Sequence, residues 1–166
     1  MHSPLGVGAM VLCAVAAFTG CHPRMSEGMA PAAQPDSLVG VVSVTGTSYE
    51  QHVVLRVGGR AQALVTTSAD SASLSRVAGT EVVVRGREEG NSFRVVSFTV
   101  RSVDGAPVAD GMLLREGGLF VLQTVAGRNE IRNAPASFGS MIGARIWIGG
   151  PLATGPNVYG VITPAR

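Results

Sequence analysis

Few residues of this 166-residue chain have side chains suited to catalysis or ligation, and their spacing limits what they can do. Cys21 stands in the stretch FTGCHPR, between a long apolar run and a polar, proline-rich tract. Its sulfur could be a free thiol, half of a disulfide or a site of modification. The one other cysteine, Cys13, lies inside the apolar run. Metal ligation needs clustered His, Cys, Asp or Glu, yet His22 and His52 are thirty residues apart. A phosphate-binding loop needs Gly-Lys, and all thirteen basic residues here are arginine. Gly139-Ser140 lies in FGSMIG, where the second glycine is misplaced for the nucleophile elbow G-x-S-x-G. Glu88 and Glu89 fall at a hairpin tip, and Asp104 and Asp110 lie beside glycines, where carboxylates serve turn geometry. The expectation is a protein that is not an enzyme, with no metal and no cofactor.

The elements that would position these residues are short. Hydrophobic residues make up 46% of the chain but aromatic ones only 5%, and twenty-two glycines interrupt it, which favours many short strands over long helices. A net charge of +2 is too small a surplus for a nucleic-acid partner, which requires clustered positive charge.

Leu5 to Phe18, LGVGAMVLCAVAAF, carries no charge. At about 1.5 Å per residue it is too short for a bilayer core of about 30 Å, and it suits the apolar region of a secretory signal. The amino-terminal MHSP lacks the basic residue such signals usually carry. The segment F-T-G-C at 18–21 resembles the lipobox of bacterial lipoproteins, with Ala17, Thr19 and Gly20 fitting well and Phe18 standing where leucine is usual. The resemblance implies cleavage before Cys21, so that residues 1–20 are a signal peptide, and fatty acid on the Cys21 sulfur. A disulfide is the rival reading, but cleavage would remove Cys13 and leave no internal partner. An ordinary secreted protein and an uncleaved anchor are the remaining alternatives. One acyl chain anchors marginally, and the two or three of a lipoprotein hold firmly. His22 in place of aspartate after the cysteine implies, by the family's sorting habit, the outer membrane facing the periplasm.

Residues 21–37 read as a disordered tether rich in Pro, Ala and Ser, with too little apolar surface to offset the entropy of ordering. From Leu38 the texture changes to short apolar alternations broken by Gly, Asp and Asn. Five candidate strands lie at 38–46, 52–57, 61–67, 80–87 and 92–102, and five more at 111–116, 119–125, 128–133, 144–150 and 157–163. LSRVAGTEVVVRG (74–86) aligns with FGSMIGARIWIGG (138–150) at a shift of 64. Leu74 meets Phe138, Val77 meets Met141, Gly79 meets Gly143, Val82 and Val84 meet Ile146 and Ile148, and Gly86 meets Gly150. Gly40 opens the first copy as Gly111 opens the second, which predicts a duplicated unit over 38–103 and 104–166. The order of three strands, a short helix and two strands is that of the oligonucleotide/oligosaccharide-binding (OB) fold. Over roughly residues 38–164 the chain resembles small exported OB-like domains of bacterial lipoproteins, many of unknown function. The expected fold is therefore all-β, two tandem five-stranded OB-like Greek-key barrels, with one ten-stranded β-sandwich as the alternative. Units of about 60 residues are marginal alone, so the halves should pack on each other.

Strand parity puts Ile146 and Ile148 on one face and Arg145 and Trp147 on the other. Trp147, the only tryptophan, either covers the second barrel or fills the seam between halves, or else serves as a ligand-stacking platform. The surfaces that OB folds use are the first loop, Thr47, Ser48, Tyr49 and Glu50, with Arg56 on the second strand, and the tip carrying Glu88, Glu89 and Asn91. The function expected is a non-catalytic envelope lipoprotein that binds a protein or glycan. The alternative is a small-molecule sensor or minor envelope hydrolase. Metabolic labelling with a palmitate analogue tests the address: the wild type takes up label, and Cys21→Ser takes up none and leaves the membrane fraction.

Overall fold

Alternation along the chain dictates which side chains turn inward, and three irregularities in that alternation shape the fold. The structure, a computed structural model, describes residues 36–47 and 49–166. The expected signal peptide, Cys21, most of the expected tether and Ser48 lie outside the described residues. The first strand begins at Asp36, two residues ahead of the expected boundary at Leu38.

Chain order is β1 (Asp36–Gly46), β2 (Gln51–Val57), β3 (Arg60–Val65), helix α1 (Ser68–Arg76), β4 (Glu81–Glu89) and β5 (Ser92–Val103). The second half continues with β6 (Ala106–Glu116), β7 (Leu119–Thr124), β8 (Gly127–Ile131), a 3-10 helix (Ala136–Met141), β9 (Arg145–Gly149) and β10 (Val158–Thr163). In the first half β1 pairs with β2 and β4, β2 with β3, and β4 with β5. A short parallel ladder, Ala63–Val65 against Ser92–Arg94, joins β3 to β5 and closes the barrel. This is the all-β, OB-like barrel that the order of elements predicts.

Its interior is lined by alternate residues of the strands: Val42, Val53, Leu55, Val82 and Val84 are buried, with Leu74 of α1 at 0% exposure. α1 is short and rich in serine, so its own propensity is poor. Thr67 caps it, the Thr67 hydroxyl accepting the Asp70 N–H at 3.2 Å, and Leu74 and Val77 anchor it against the barrel. Along β5 the inward residues are Phe93, Val95, Phe98 and Val100, and Val95 and Phe98 are out of phase for a regular strand. A bulge resolves this. Arg85 pairs with Ser97 and Gly86 with Val95, so Val96 is the extra residue and stands 67% exposed.

The second half repeats the ladders β6–β7, β6–β9, β7–β8 and β9–β10. Corresponding bonds recur in detail. Gly79 donates to the Val42 carbonyl and Gly143 to the Leu113 carbonyl, each at 2.8 Å. Val42 donates to Thr80 at 3.0 Å, and Leu113 donates to Ala144 at 2.9 Å. Gly79 and Gly143 both hold the positive φ that ends each helical turn, +88° and +84°. Gly40 and Gly111 meet equivalent surroundings: a Cβ on Gly40 would run into the Arg56 carbonyl and the Leu55 side chain, and one on Gly111 into the Gln123 carbonyl and the Leu122 side chain.

The halves differ in closure. β8 and β10 share no ladder, so the second half is an open version of the first. The β9–β10 connection crosses the gap instead. Leu152 packs on the second core, its carbonyl accepting the Arg132 N–H at 3.0 Å, and the Thr154 carbonyl accepts from Asn133 Nδ2 at 3.0 Å. β10 also carries a bulge, between Val161 and Thr163, which places Ile162 on the opposite side from Val161. Val161 packs on the second core, whereas Ile162 is fully buried in the first. Thr163 and Ser73 of α1 are hydrogen-bonded at 2.9 Å beside it.

Gly40→Ala and Gly111→Ala should each lower stability by about 1–3 kcal/mol, the usual cost of forcing atoms into a packed site. Gly139→Ala, where a Cβ meets nothing within 4 Å, should stay within about 0.5 kcal/mol. Urea denaturation of the three variants measures this, and a loss confined to one of the two paired glycines would refute their equivalence.

Candidate functional site

The two halves are joined by a tight hairpin, Asp104 and Gly105 both at positive φ (+49° and +76°), the geometry an Asp-Gly turn provides. β5 and β6 then pair over only Ser102–Pro107 and Val103–Ala106. Beyond this short ladder the strands part, and Asp110 bridges them. Its carboxylate is 2% exposed, and Oδ2 accepts the Val100 N–H of β5 at 2.7 Å. Arg145 of β9 donates Nε to Oδ1 at 2.8 Å and Nη2 to Oδ2 at 2.7 Å. Nη2 also donates to the Phe98 carbonyl at 2.6 Å, and the guanidinium lies 4.5 Å from the Phe98 ring centroid. A buried carboxylate is costly unless paired and hydrogen-bonded, and three donors from two strands meet that need. Asp110 was expected to serve a turn beside Gly111. It lies instead inside β6 and is a structural anion of the seam.

A cleft of about 350 Å³ opens beside this pair. Arg85, Ser97 and Thr99 of the first half line one wall, and Met112, Gln123 and Arg145 of the second line the other. The side chains of Arg85, Ser97, Thr99 and Gln123 form no hydrogen bond or ion pair among the described residues. Arg145 uses Nε and Nη2 on the protein and leaves Nη1 without a partner there. A second cleft, about 440 Å³, shares Met112 and Arg145 and extends to Ile142 and the terminal residues Thr163 to Arg166.

The residues expected to form the binding surface are not gathered into this cleft. Thr47, Tyr49 and Glu50 occupy the β1–β2 loop, where Tyr49 is wholly exposed and Glu50 lies 3.5 Å from His52. Arg56 is exposed on β2 and donates Nε to Ser43 Oγ at 3.2 Å. Glu88, Glu89 and Asn91 sit at the β4–β5 tip, and the Asn91 carbonyl accepts Gln62 Nε2 at 3.2 Å. Glu89 is paired with Arg94, whose Nη2 donates to Oε2 at 2.8 Å. That hydrogen bond, with the charge behind it, holds the Glu89 carboxyl below its usual range and raises Arg94. No bond among the described residues links the β1–β2 loop to the tip.

Trp147 lies in the seam, one of the places expected for it. It faces away from Ile146 and Ile148, packs on the first core, and covers Gly160 on β10. A Cβ at Gly160 would come within 2.6 Å of the indole Nε1, so that glycine makes room for the ring. Among the described residues there is no group of three or more His, Cys, Asp or Glu. Sequence spacing missed the Asp110–Arg145 pair, which spans 35 residues. One signal was available: Arg145 shares the outward face with Trp147, and an arginine beside a buried seam requires an anion.

No protein-family model, curated protein or solved structure matches this chain.

Asp110→Ala strands Arg145 and the Val100 N–H together and should cost about 3 kcal/mol, the lower end for breaking a buried pair because Arg145 keeps partial access to water. Trp147→Ala should cost about 2 kcal/mol, less than a fully buried aromatic. Thermal denaturation without any ligand reads both, and an unchanged melting temperature for either would contradict its place in the seam.

Proposed function

We propose that this protein is a non-catalytic binding module, held on the surface of a bacterial envelope membrane through lipid on Cys21, that takes a protein or glycan partner at the cleft between its halves. The observation that carries the reading is the set of polar groups in that cleft which the described residues leave unused. The side chains of Arg85, Ser97, Thr99 and Gln123 and Nη1 of Arg145 converge on one hollow with no hydrogen bond or ion pair among the described residues. Binding sites hold a few polar groups in fixed places for a ligand to complete. Asp110 orders Arg145 before any ligand arrives, which lowers the entropy lost on binding. Anchoring through Cys21 and a spacer before Asp36 would present the cleft to other envelope components.

The β1–β2 loop offers a second contact surface, favoured by the fully exposed Tyr49 ring. Tyrosine in water is a ready anchor, apolar in body and polar at its end.

Affinity capture from detergent-solubilised envelope tests the reading with wild type, the double variant Arg85→Ala with Gln123→Ala, and Tyr49→Ala. The expected result is a reproducible partner, lost at least tenfold by the double variant and kept by Tyr49→Ala. The reverse pattern moves the site to the β1–β2 loop. Turnover in a broad hydrolase screen, with no partner captured, overturns the non-catalytic reading.

A further inference from the structure

The chemistry of the cleft wall narrows the ligand, an inference that rests on the cleft being the binding site. Among the described residues that line it the charged groups are Arg85, Arg145 and Asp110. Asp110 neutralises Arg145 through two hydrogen bonds, so the cleft carries one uncompensated positive charge, that of Arg85. A single carboxylate balances it. A doubly charged phosphate would leave an excess negative charge against Asp110, and a neutral ligand would leave Arg85 without a counter-charge.

The uncharged wall is equally restrictive. Ser97 and Thr99 offer hydroxyls and Gln123 an amide, each able both to donate and to accept. None has a partner among the described residues. A purely apolar acid would shield these groups from water without replacing its hydrogen bonds, which costs about 1–3 kcal/mol for each one stranded. A ligand rich in hydroxyl groups satisfies them. Met112, 40% exposed, supplies an apolar surface against which the C–H face of a ring can lie. A volume of about 350 Å³ is near the lower limit for small-ligand sites and enough for a ring-sized unit.

We infer that the cleft between the two halves binds an acidic sugar, its carboxylate on Arg85 and the free Nη1 of Arg145 and its hydroxyls on Ser97, Thr99 and Gln123. Arg85 meets the carboxylate with its two-pronged guanidinium, and Arg145 donates from one end because its other edge belongs to Asp110. The acid can be a free monosaccharide or one unit of a glycan chain, since both present the same group.

Full-length protein in detergent, titrated by calorimetry with galacturonate, galactose, inorganic phosphate and a galacturonate trisaccharide, tests this. Backbone amide NMR shifts of Ser97, Thr99 and Gln123 report the location. The expected result is that galacturonate binds and shifts these amides, that galactose and phosphate bind at least tenfold more weakly, and that Arg85→Ala removes the preference for the acid. The Arg85 side chain is exposed and has no hydrogen bond or ion pair among the described residues, so its loss should leave the melting temperature unchanged. Tighter binding of the trisaccharide assigns the ligand to a glycan, and equal binding assigns it to the free sugar. Equal shifts from galactose and galacturonate, unaltered by Arg85→Ala, overturn the acidic class while leaving the cleft as a sugar site. Shifts at Thr47–Glu50 with none in the cleft, or no binding of any probe, overturn the cleft reading itself.

Discussion

A carboxylate with 2% of its surface in water governs the centre of this molecule. Asp110 is tolerable there only because the Val100 N–H and two nitrogens of Arg145 converge on its oxygens. Arg145 of β9 belongs to the same half as Asp110, whereas Val100 belongs to β5 of the first half, so the last of the three donors is supplied only when the halves are docked. The docking in turn sets the guanidinium over Phe98 and directs it between two clefts. Apolar packing would join the halves with a looser choice of angle. The bonds that tie the ion pair to β5, from the Val100 N–H to Asp110 and from Arg145 Nη2 to the Phe98 carbonyl, have a narrow geometry and select one arrangement.

Around that pair the two halves use one pattern for different ends. Glycines at 40 and 111 let β2 and β7 cross close over β1 and β6, and glycines at 79 and 143 end the helical turns with the same backbone bonds. Register places Glu81 opposite Val41 and Arg145 opposite Met112, so the same strand position is acidic in one half and basic in the other. In the first half Glu81 takes Arg101 and Ser102, local partners on β5. In the second Arg145 reaches across the seam. The bulges diverge likewise: Arg101 is the extra residue opposite Glu81 and Val82, whereas Ile162 of β10 enters the neighbouring core. A unit of this size buries too little apolar surface to be secure by itself. Ile162 and Trp147 supply that deficit from the second half to the first.

Much of the architecture was legible along the chain. Inward and outward residues on β4 and β9 follow the period of two, and the matched pairs Leu74/Phe138 and Gly79/Gly143 occupy matching places. Trp147 was legible to the level of its face. The cleft was not. Its walls come from β4 and β5 on one side and β6, β7 and β9 on the other, and no local pattern links Arg85 to Gln123. The residues singled out by analogy with other OB surfaces, from Thr47 to Asn91, are exposed residues of loops and strand ends, with Arg56 on β2, whose spacing carries no information on convergence. Asp110 was misread because a glycine follows it, and Asp-Gly is the same dipeptide whether it makes a turn, as at Asp104, or lies within a strand.

Sequence alone determined the strands, their facing and the repeat, because these follow from periods of a few residues and from glycines that only one backbone path tolerates. It also marked Cys21 as the residue with the most distinctive chemistry. Tertiary structure alone decided that the first barrel closes while the second stays open, that Val96 and Ile162 step out of phase, and that Asp110 finds Arg145. Each of these depends on a balance between surfaces far apart in the chain: a bulge forms where two runs of apolar residues must share one core, and a charge is buried where distant donors converge.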